Sequence, residues 1–313
     1  MERCRSPDPA GRRRPAPGRP ARRSPVTPPR AVKDPHHPGG ATPGPPPGEL
    51  GFLLDTGAVL VWLGLAALYL LAGRAAVLRG RVDWPAHRTA SWLAGAGVGL
   101  AVTTAPHAGD ANAGLTAHMA VHLVLSMLVP TLLVLGAPVA LGLRAVPVHA
   151  GRRFSRLARA APVRLLSHPV TATVLSTLPM ALLYWDGSGL ALLHEPVLGP
   201  ALHVHFVAAG ALFAYAVVGL DPNPHRARAS VRGGMIVLSI AVHGIVAKHL
   251  YSVGDQRGLP QDTEQAAQLM YYGGDALHLL LLVVFCAQVY REGGRHLRRP
   301  AQPETAPEPR RVV

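Results

Sequence analysis

The sequence predicts an all-α fold, in which a polytopic bundle of about seven transmembrane helices lies between two disordered tails. Of the 313 residues, 49% are hydrophobic and only 15% are charged, and the apolar residues fall in long blocks. A membrane-spanning helix needs about 20 predominantly apolar residues. Seven blocks approach that length: 53–72, 89–105, 117–143, 170–185, 202–220, 233–251 and 266–290.

The second and fourth blocks are short for a complete span. A tilted or re-entrant segment is therefore an alternative at 89–105 and at 170–185, and with a re-entrant segment the count would be six. The other five blocks are long enough to cross the hydrocarbon core as ordinary helices.

The two ends of the chain have a different composition from the blocks. Residues 1–50 are mostly Pro, Arg and Gly, and they contain no apolar stretch that a secretory signal or a folded domain would need. Residues 293–313 share this composition. We therefore expect a disordered tail at 1–50, a membrane domain at 51–292 and a disordered cytoplasmic tail at 293–313.

The distribution of basic residues predicts the orientation. A formal net charge of +14 would favour nucleic-acid binding in a soluble protein, but here Arg clusters in alternate loops. The loops after the first, third, fifth and seventh blocks are Arg-rich, whereas 106–116 and 186–201 contain no Lys or Arg. By the positive-inside rule, the C-terminus is cytoplasmic and the N-terminus extracytoplasmic. The lipid bilayer is then a partner of the chain, and nucleic acid is not.

Ionisable residues inside the predicted spans gather towards the outer side. Such residues are costly in lipid and usually face a bundle interior or a wet cavity. At about 1.5 Å of rise per residue, one group lies near the outer ends of three spans and a second lies roughly 15 Å deeper. The outer group is His118, His122, His203, His205 and His249. The deeper group is His243, Asp275 and His278.

The spacing within these groups favours one shared site. Two pairs each lie on one helical face, at i,i+4 for His118 and His122 and at i,i+3 for Asp275 and His278. A carboxylate one turn from a histidine orients the imidazole, as is common beside metals. His203 and His205 lie about 200° apart around a helix, so we expect one of them to face away.

The residue types favour copper over thiol chemistry. Imidazole suits copper, zinc, iron and nickel, and the nearby thioethers of Met119 and Met270 favour Cu(I). Cys4 lies in the tail and Cys286 deep in the last span, so neither a disulfide nor a thiolate pair is available. Nucleotide-binding and hydrolase motifs are absent, which argues against an enzyme. Interhelical hydrogen bonding is the alternative role for each histidine.

Three stretches resemble the CtaG-type cytochrome c oxidase assembly factors. They are "HMAVHLVLSMLVPTLLVLGAPVALGLRA" at 118–145, "LHVHFVAAGALFAYAVVGLDP" at 202–222 and "YYGGDALHL" at 271–279. The resemblance extends from about residue 53 to residue 292. It implies a seven-helix plasma-membrane protein that helps to mature a haem-copper oxidase, with oxidase subunits as partners. The positions carried across are His118, His122, Asp275 and His278, whereas the His-x-His at 203–205 departs from the family spacing.

The sequence therefore predicts an assembly factor that binds or delivers Cu(I) through an outward-facing His/Asp cluster. Two alternatives use the same residues. In one, His243 and His278 ligate a b-type haem axially and the protein carries electrons. In the other, copper permeates through the cavity that the cluster lines.

Overall fold

The computed structural model describes residues 49–297, apart from 82–83, 106–113, 186, 196 and 255–257. Within these residues all regular structure is helical and no strand occurs, which confirms the all-α prediction. The predicted tails lie outside the described residues except at their edges. The first helix begins at Glu49 and the last extends to Leu297.

The described chain forms eleven α-helices, with a π-helical segment at Val124–Leu128 and a 3-10 segment at Ser188–His194. The α-helices are α1 Glu49–Leu78, α2 Ala86–Thr103, α3 Gly114–Leu123, α4 Val129–Leu135, α5 Pro138–Ala145, α6 Val148–Ala158, α7 Ala161–Leu166, α8 Pro169–Tyr184, α9 Leu198–Val218, α10 Ala229–Val253 and α11 Thr263–Leu297.

Five stretches of the described chain are helical, long and apolar enough to cross a membrane. They are Gly51–Leu78, Gly114–Leu135, Leu198–Val218, Ala229–Val253 and Thr263–Gly294. The two short blocks also form helices, as α2 and α8, but these have only 18 and 16 residues. The structure therefore supports five spans by length and composition, and not the full count of seven.

The helices around the histidines close into a ring. The continuous rod formed by α3, the π-helical segment and α4 packs against α11 and α9, α11 packs against α10, α10 against α8, and α8 against α9. Helices α1 and α2 lie outside this ring, against α4 and α5. Side chains that point into the ring are thus enclosed by helices on every side.

Pro130 and Ala137 interrupt the helix of the third predicted span. Pro130 has no N–H, so the carbonyl of Ser126 lacks its α-helical partner, and the π-helical segment lies at this position. The helix then breaks at Ala137, which adopts a left-handed φ of 49°. The carboxylate of Asp221 accepts hydrogen bonds from the N–H groups of Val139 and Ala140 at 3.3 and 2.8 Å and so caps the start of α5.

The two ends of the bundle carry different polar groups. The end where α3, α9 and α11 begin and α8 and α10 finish is called the histidine end. The opposite end, where α9 and α11 finish and α10 begins, is called the arginine end. There the buried Arg232 donates to the carbonyls of Val217 and Val218 at 3.1 and 3.3 Å and pairs with Glu292 at 3.5 Å. Arg226 also pairs with Glu292.

Candidate histidine site

The outermost part of the site joins α3, α8 and α9. His118 Nε2 shares a hydrogen bond of 2.8 Å with the hydroxyl of the buried Tyr184. The His118 ring lies edge-on to His203, with centroids 5.9 Å apart. His203 Nδ1 donates to the carbonyl of Gly199 at 3.0 Å, because a carbonyl only accepts. In the neutral ring, His203 Nε2 therefore carries a lone pair.

His122 lies one turn deeper and is only 3% exposed. Its ring contacts Tyr184 and Phe206 edge-on, with centroids 5.1 and 4.8 Å away. It lies within electrostatic reach of the rings of His118, His203 and His243. Its Nδ1 is buried and has no hydrogen-bond partner. An unpaired polar atom in a buried position is expensive, which marks His122 as a residue that the fold alone does not explain.

The deepest part of the site pairs α10 with α11. The rings of His243 and His278 lie edge-on with centroids 5.3 Å apart, and both side chains are buried. His278 Nδ1 donates to the carbonyl of Gly274 at 2.9 Å, and its Nε2 lies 3.0 Å from the hydroxyl of Ser239. His243 Nε2 donates to the carbonyl of Met270 at 3.1 Å.

A glycine makes the approach of His243 possible. A Cβ atom on Gly274 would lie 2.3 Å from His243 Nε2. Such a distance is shorter than any tolerable contact, so any side chain at this position would displace the imidazole. Asp275 is the next residue along α11, is partly buried, and interacts electrostatically with His243. The sequence predicts Asp275 as the partner of His278, whereas the interaction found in the structure is an electrostatic one with His243 on α10.

His205 points away from the other histidines, towards α8. Its Nε2 donates to the carbonyl of Leu175 at 3.1 Å. Pro179 lies inside α8 four residues after Leu175 and has no N–H to satisfy that carbonyl. His205 thus supplies the hydrogen bond that the proline removes. Of the two histidines on α9, His203 joins the cluster and His205 holds two helices together.

The remaining predicted residues surround the cluster without joining it. His249 stacks on Trp185 with ring centroids 4.1 Å apart, at the rim of the histidine end. Met119 and Met270 are fully buried in the apolar core there. For Met270, the backbone carbonyl and not the thioether is the atom that contacts His243.

A cavity of about 40 Å³ lies beneath His122, inside the ring. His122, His243 and His278 line it together with the thioethers of Met127 and Met180. Hydroxyl groups complete the polar lining: Ser126, Thr131, Ser176, Thr177 and Ser239. This cavity is called the chamber. It has room for a bare ion or a few water molecules, and a porphyrin is far larger.

The histidines come together as pairs. Among the described residues, no three His, Cys, Asp or Glu side chains are grouped so that they hold a metal ion as they stand. The pairs are His118 with His203 and His243 with His278, and His122 lies between them. Cu(I) accepts low coordination numbers, so a pair of imidazoles suits it better than it suits zinc.

The sequence analysis did not identify several residues of the site. Tyr184 and Ser239 each hydrogen-bond a cluster histidine, but aromatic and hydroxyl residues are common in spans and gave no signal of their own. Met127 and Met180 fit equally well as packing residues. Their helical faces become distinguishable only when the ring of helices is assembled.

A comparison with known protein families identifies the family of this chain. The sequence profile of the cytochrome c oxidase caa3 assembly factors (Caa3_CtaG) matches residues 67–292, well over half of the chain. The chain belongs to this family. The resemblance stated from the sequence is confirmed, and the matched region contains the histidine cluster, the chamber and the arginine end.

Individual relatives of this chain occur in mycobacteria. Uncharacterized proteins of Mycobacterium bovis and of Mycobacterium tuberculosis are each 29% identical over 213 residues, or 66% of this chain and 32% of theirs. One from Mycobacterium leprae is 31% identical over 195 residues, or 60% of this chain and 29% of its own. The chain thus spans about a third of the length of the curated relatives it matches. No solved structure matches it.

Proposed function

We propose that this chain is a non-catalytic assembly factor that binds Cu(I) at the histidine cluster and passes it to a subunit of a haem-copper cytochrome c oxidase. The observation that carries the proposal is the convergence of His118, His122, His203, His243 and His278 from four helices of one ring. Family membership supports the oxidase as the target. The neutral imidazoles and low-coordinate pairs support Cu(I) as the metal.

The proposed membrane arrangement has seven spans, with α2 and α8 as the short ones. In this arrangement the arginine end is cytoplasmic, because the Arg-rich loops lie there, and the histidine end faces the extracytoplasmic side of the plasma membrane. Copper would then be accepted from outside the cell. The size of the chamber favours a metal ion over the haem alternative, because the space beside His243 and His278 is too small for a macrocycle.

The test compares three variants of the cluster in cells that assemble the oxidase. His122→Ala and His278→Ala each remove an imidazole donor, and Asp275→Asn removes only a charge beside His243. We expect each to lower assembled oxidase activity while the protein stays at normal abundance in the membrane, and added copper to restore part of the loss. The Asp275 variant should be rescued most readily, because loss of a supporting group costs about 10- to 100-fold in metal affinity.

A histidine outside the cluster provides the control for these variants. His149 is exposed at the start of α6, so His149→Ala should leave oxidase assembly unchanged. A membrane-impermeant Cu(I) chelator added outside the cells should deepen the defect of the three variants. If the variants simply deplete the protein and copper does not rescue them, the histidines only hold helices together. If the chelator has no effect, the proposed orientation is wrong.

A further inference from the structure

The chamber lies deeper than the His118–His203 pair, between two apolar cores. Met180 and Phe206, on its outer side, belong to the core of the histidine end. Phe213 and Leu281, on its other side, belong to the core that extends to the arginine end. A buried polar atom between two apolar cores is costly unless a partner in the cavity satisfies it.

The two threonine hydroxyls of the chamber have already used their hydrogens. Thr131 Oγ1 donates to the carbonyl of Met127 at 2.7 Å, and Thr177 Oγ1 donates to the carbonyl of Thr173 at 2.8 Å. Each hydroxyl has one hydrogen, and a carbonyl only accepts. The threonine oxygens therefore turn lone pairs, and not hydrogens, towards the chamber.

The imidazoles of His278 and His243 have also donated their N–H groups to carbonyls. His278 Nδ1–H donates to Gly274, so its Nε2 is an acceptor and the Ser239 hydroxyl donates to it. His243 Nε2–H donates to Met270, which leaves Nδ1 as an acceptor. These tautomers follow from the carbonyl partners. The ring lone pairs left for a ligand are those of His243 Nδ1 and, with His122 in its Nε2–H form, of the unpartnered His122 Nδ1.

A wall of lone pairs takes a cation and repels an anion. Two of the donors are the thioethers of Met127 and Met180, and soft sulfur selects Cu(I) over hard cations such as Na⁺ or Mg²⁺. The volume of about 40 Å³ admits a bare ion more readily than a hydrated one.

We propose that the chamber is a second, deeper Cu(I) site, with His122 Nδ1 and the thioether sulfurs of Met127 and Met180 as its ligands. His122 then links this site to the outer His118–His203 pair, since it lies within electrostatic reach of both outer rings. The inference rests on the proposed copper function and adds to it a sulfur-containing site that imidazole pairs alone do not provide.

X-ray absorption at the copper edge tests the assignment on the purified full-length protein, loaded anaerobically with Cu(I). We expect sulfur scattering in the wild-type spectrum. Met127→Leu with Met180→Leu should abolish that scattering and weaken Cu(I) retention against a chelator by about 10-fold or more. Leu replaces Met with little change of volume, so the fold should survive. Met235→Leu, on α10 outside the chamber lining, should change neither property.

Two results would overturn different parts of the account. If the wild type binds Cu(I) with nitrogen scattering alone and the double variant retains copper equally well, the chamber is not a copper site and the proposed function stands. If the wild type retains no Cu(I), the proposed function itself fails. Displacement of the sulfur-bound copper by Ag(I), a redox-inert soft cation, should occur in the wild type and be absent in the double variant.

Discussion

The two ends of the bundle bury polar groups in different ways. At the arginine end, Asp221 accepts two backbone N–H groups, and Arg232 donates to two carbonyls and pairs with Glu292. At the histidine end, His122 Nδ1 has no partner and lies beside the lone-pair-rich chamber. The arginine end also has buried atoms without a partner, Arg232 Nε and His225 Nε2, but the Arg232 guanidinium is held at three other contacts.

The difference separates residues whose polar groups are satisfied within the chain, and which therefore stabilise the fold, from residues whose polar groups are left for a ligand. A buried donor or acceptor left unpaired costs about 1–3 kcal/mol, so a protein retains one only where something else compensates. At the arginine end the compensation is visible for Asp221 and Arg232, because these charged side chains complete helix termini, whereas His225 Nε2 has none. At the histidine end it is not visible within the chain, and a bound cation is the group that would supply it. Substitutions at the arginine end should therefore lower stability, and substitutions at the histidine end should lower Cu(I) retention.

The largest effect is expected from Asp221→Ala at the arginine end. The change leaves the N–H groups of Val139 and Ala140 without an acceptor at the start of α5, beside the strained Ala137. Each unpaired donor costs about 1–3 kcal/mol. We expect a strong loss of membrane abundance and of thermal stability in detergent, with no rescue by copper. Rescue by copper would contradict the division between the two ends.

Asp221→Asn provides the matched control. Burial raises the pKa of the Asp221 carboxyl, and the N–H groups of Ala140 and Val139 oppose this only in part. A carboxyl whose pKa is raised by folding contributes stability at low pH and loses it as the pH rises through the folded value. Asn keeps an acceptor oxygen and cannot ionise. We therefore expect Asp221→Asn to lose less stability than Asp221→Ala. The stability of Asp221→Asn relative to the wild type should increase as the pH rises above about 4.

A smaller effect on stability, but a specific effect on copper, is expected from Gly274→Ala. The new Cβ would lie 2.3 Å from His243 Nε2, so the imidazole must move and lose its bond to the Met270 carbonyl. An imidazole at the end of a side chain can shift, so melting should change little. Cu(I) retention should fall. Gly234→Ala on α10 has open space around its Cβ, and should keep copper binding and gain up to about 1 kcal/mol of helix stability.

Sequence patterns predicted the helical class and five of the predicted histidines that converge in the ring, His118, His122, His203, His243 and His278, whereas His205, His249 and Asp275 do not join the cluster. They did not predict which histidine of α9 is structural. Pro179 has no N–H and leaves the carbonyl of Leu175 without its helical donor, but only the packing of α8 against α9 shows that His205 supplies one. The chamber escaped prediction for the same reason, since Met127 and Met180 meet there from different helices.

The smallest effect is expected from Asp262→Asn, which sharpens the comparison because Asp262 lies at the histidine end and is nevertheless paired. The Thr116 N–H donates to Asp262 Oδ2 at 2.7 Å and ties the start of α3 to the start of α11. Burial by itself would raise the pKa of the Asp262 carboxyl, but the hydrogen bonds from Thr116 outweigh it and the pKa is lowered. Such a residue should behave like those of the arginine end.

The sign of the pH dependence follows from that lowered pKa. A carboxylate of this kind contributes stability above its unfolded pKa of about 4 and loses it as the pH falls through the folded value. At neutral pH we expect Asp262→Asn to be less stable by at most about 1 kcal/mol, because the group is partly exposed and solvent screens it. The difference from the wild type in melting temperature should vanish in acid, and Cu(I) retention should be unchanged throughout. If copper retention falls while stability does not, Asp262 belongs to the copper site and pairing within the chain does not separate structural from functional residues.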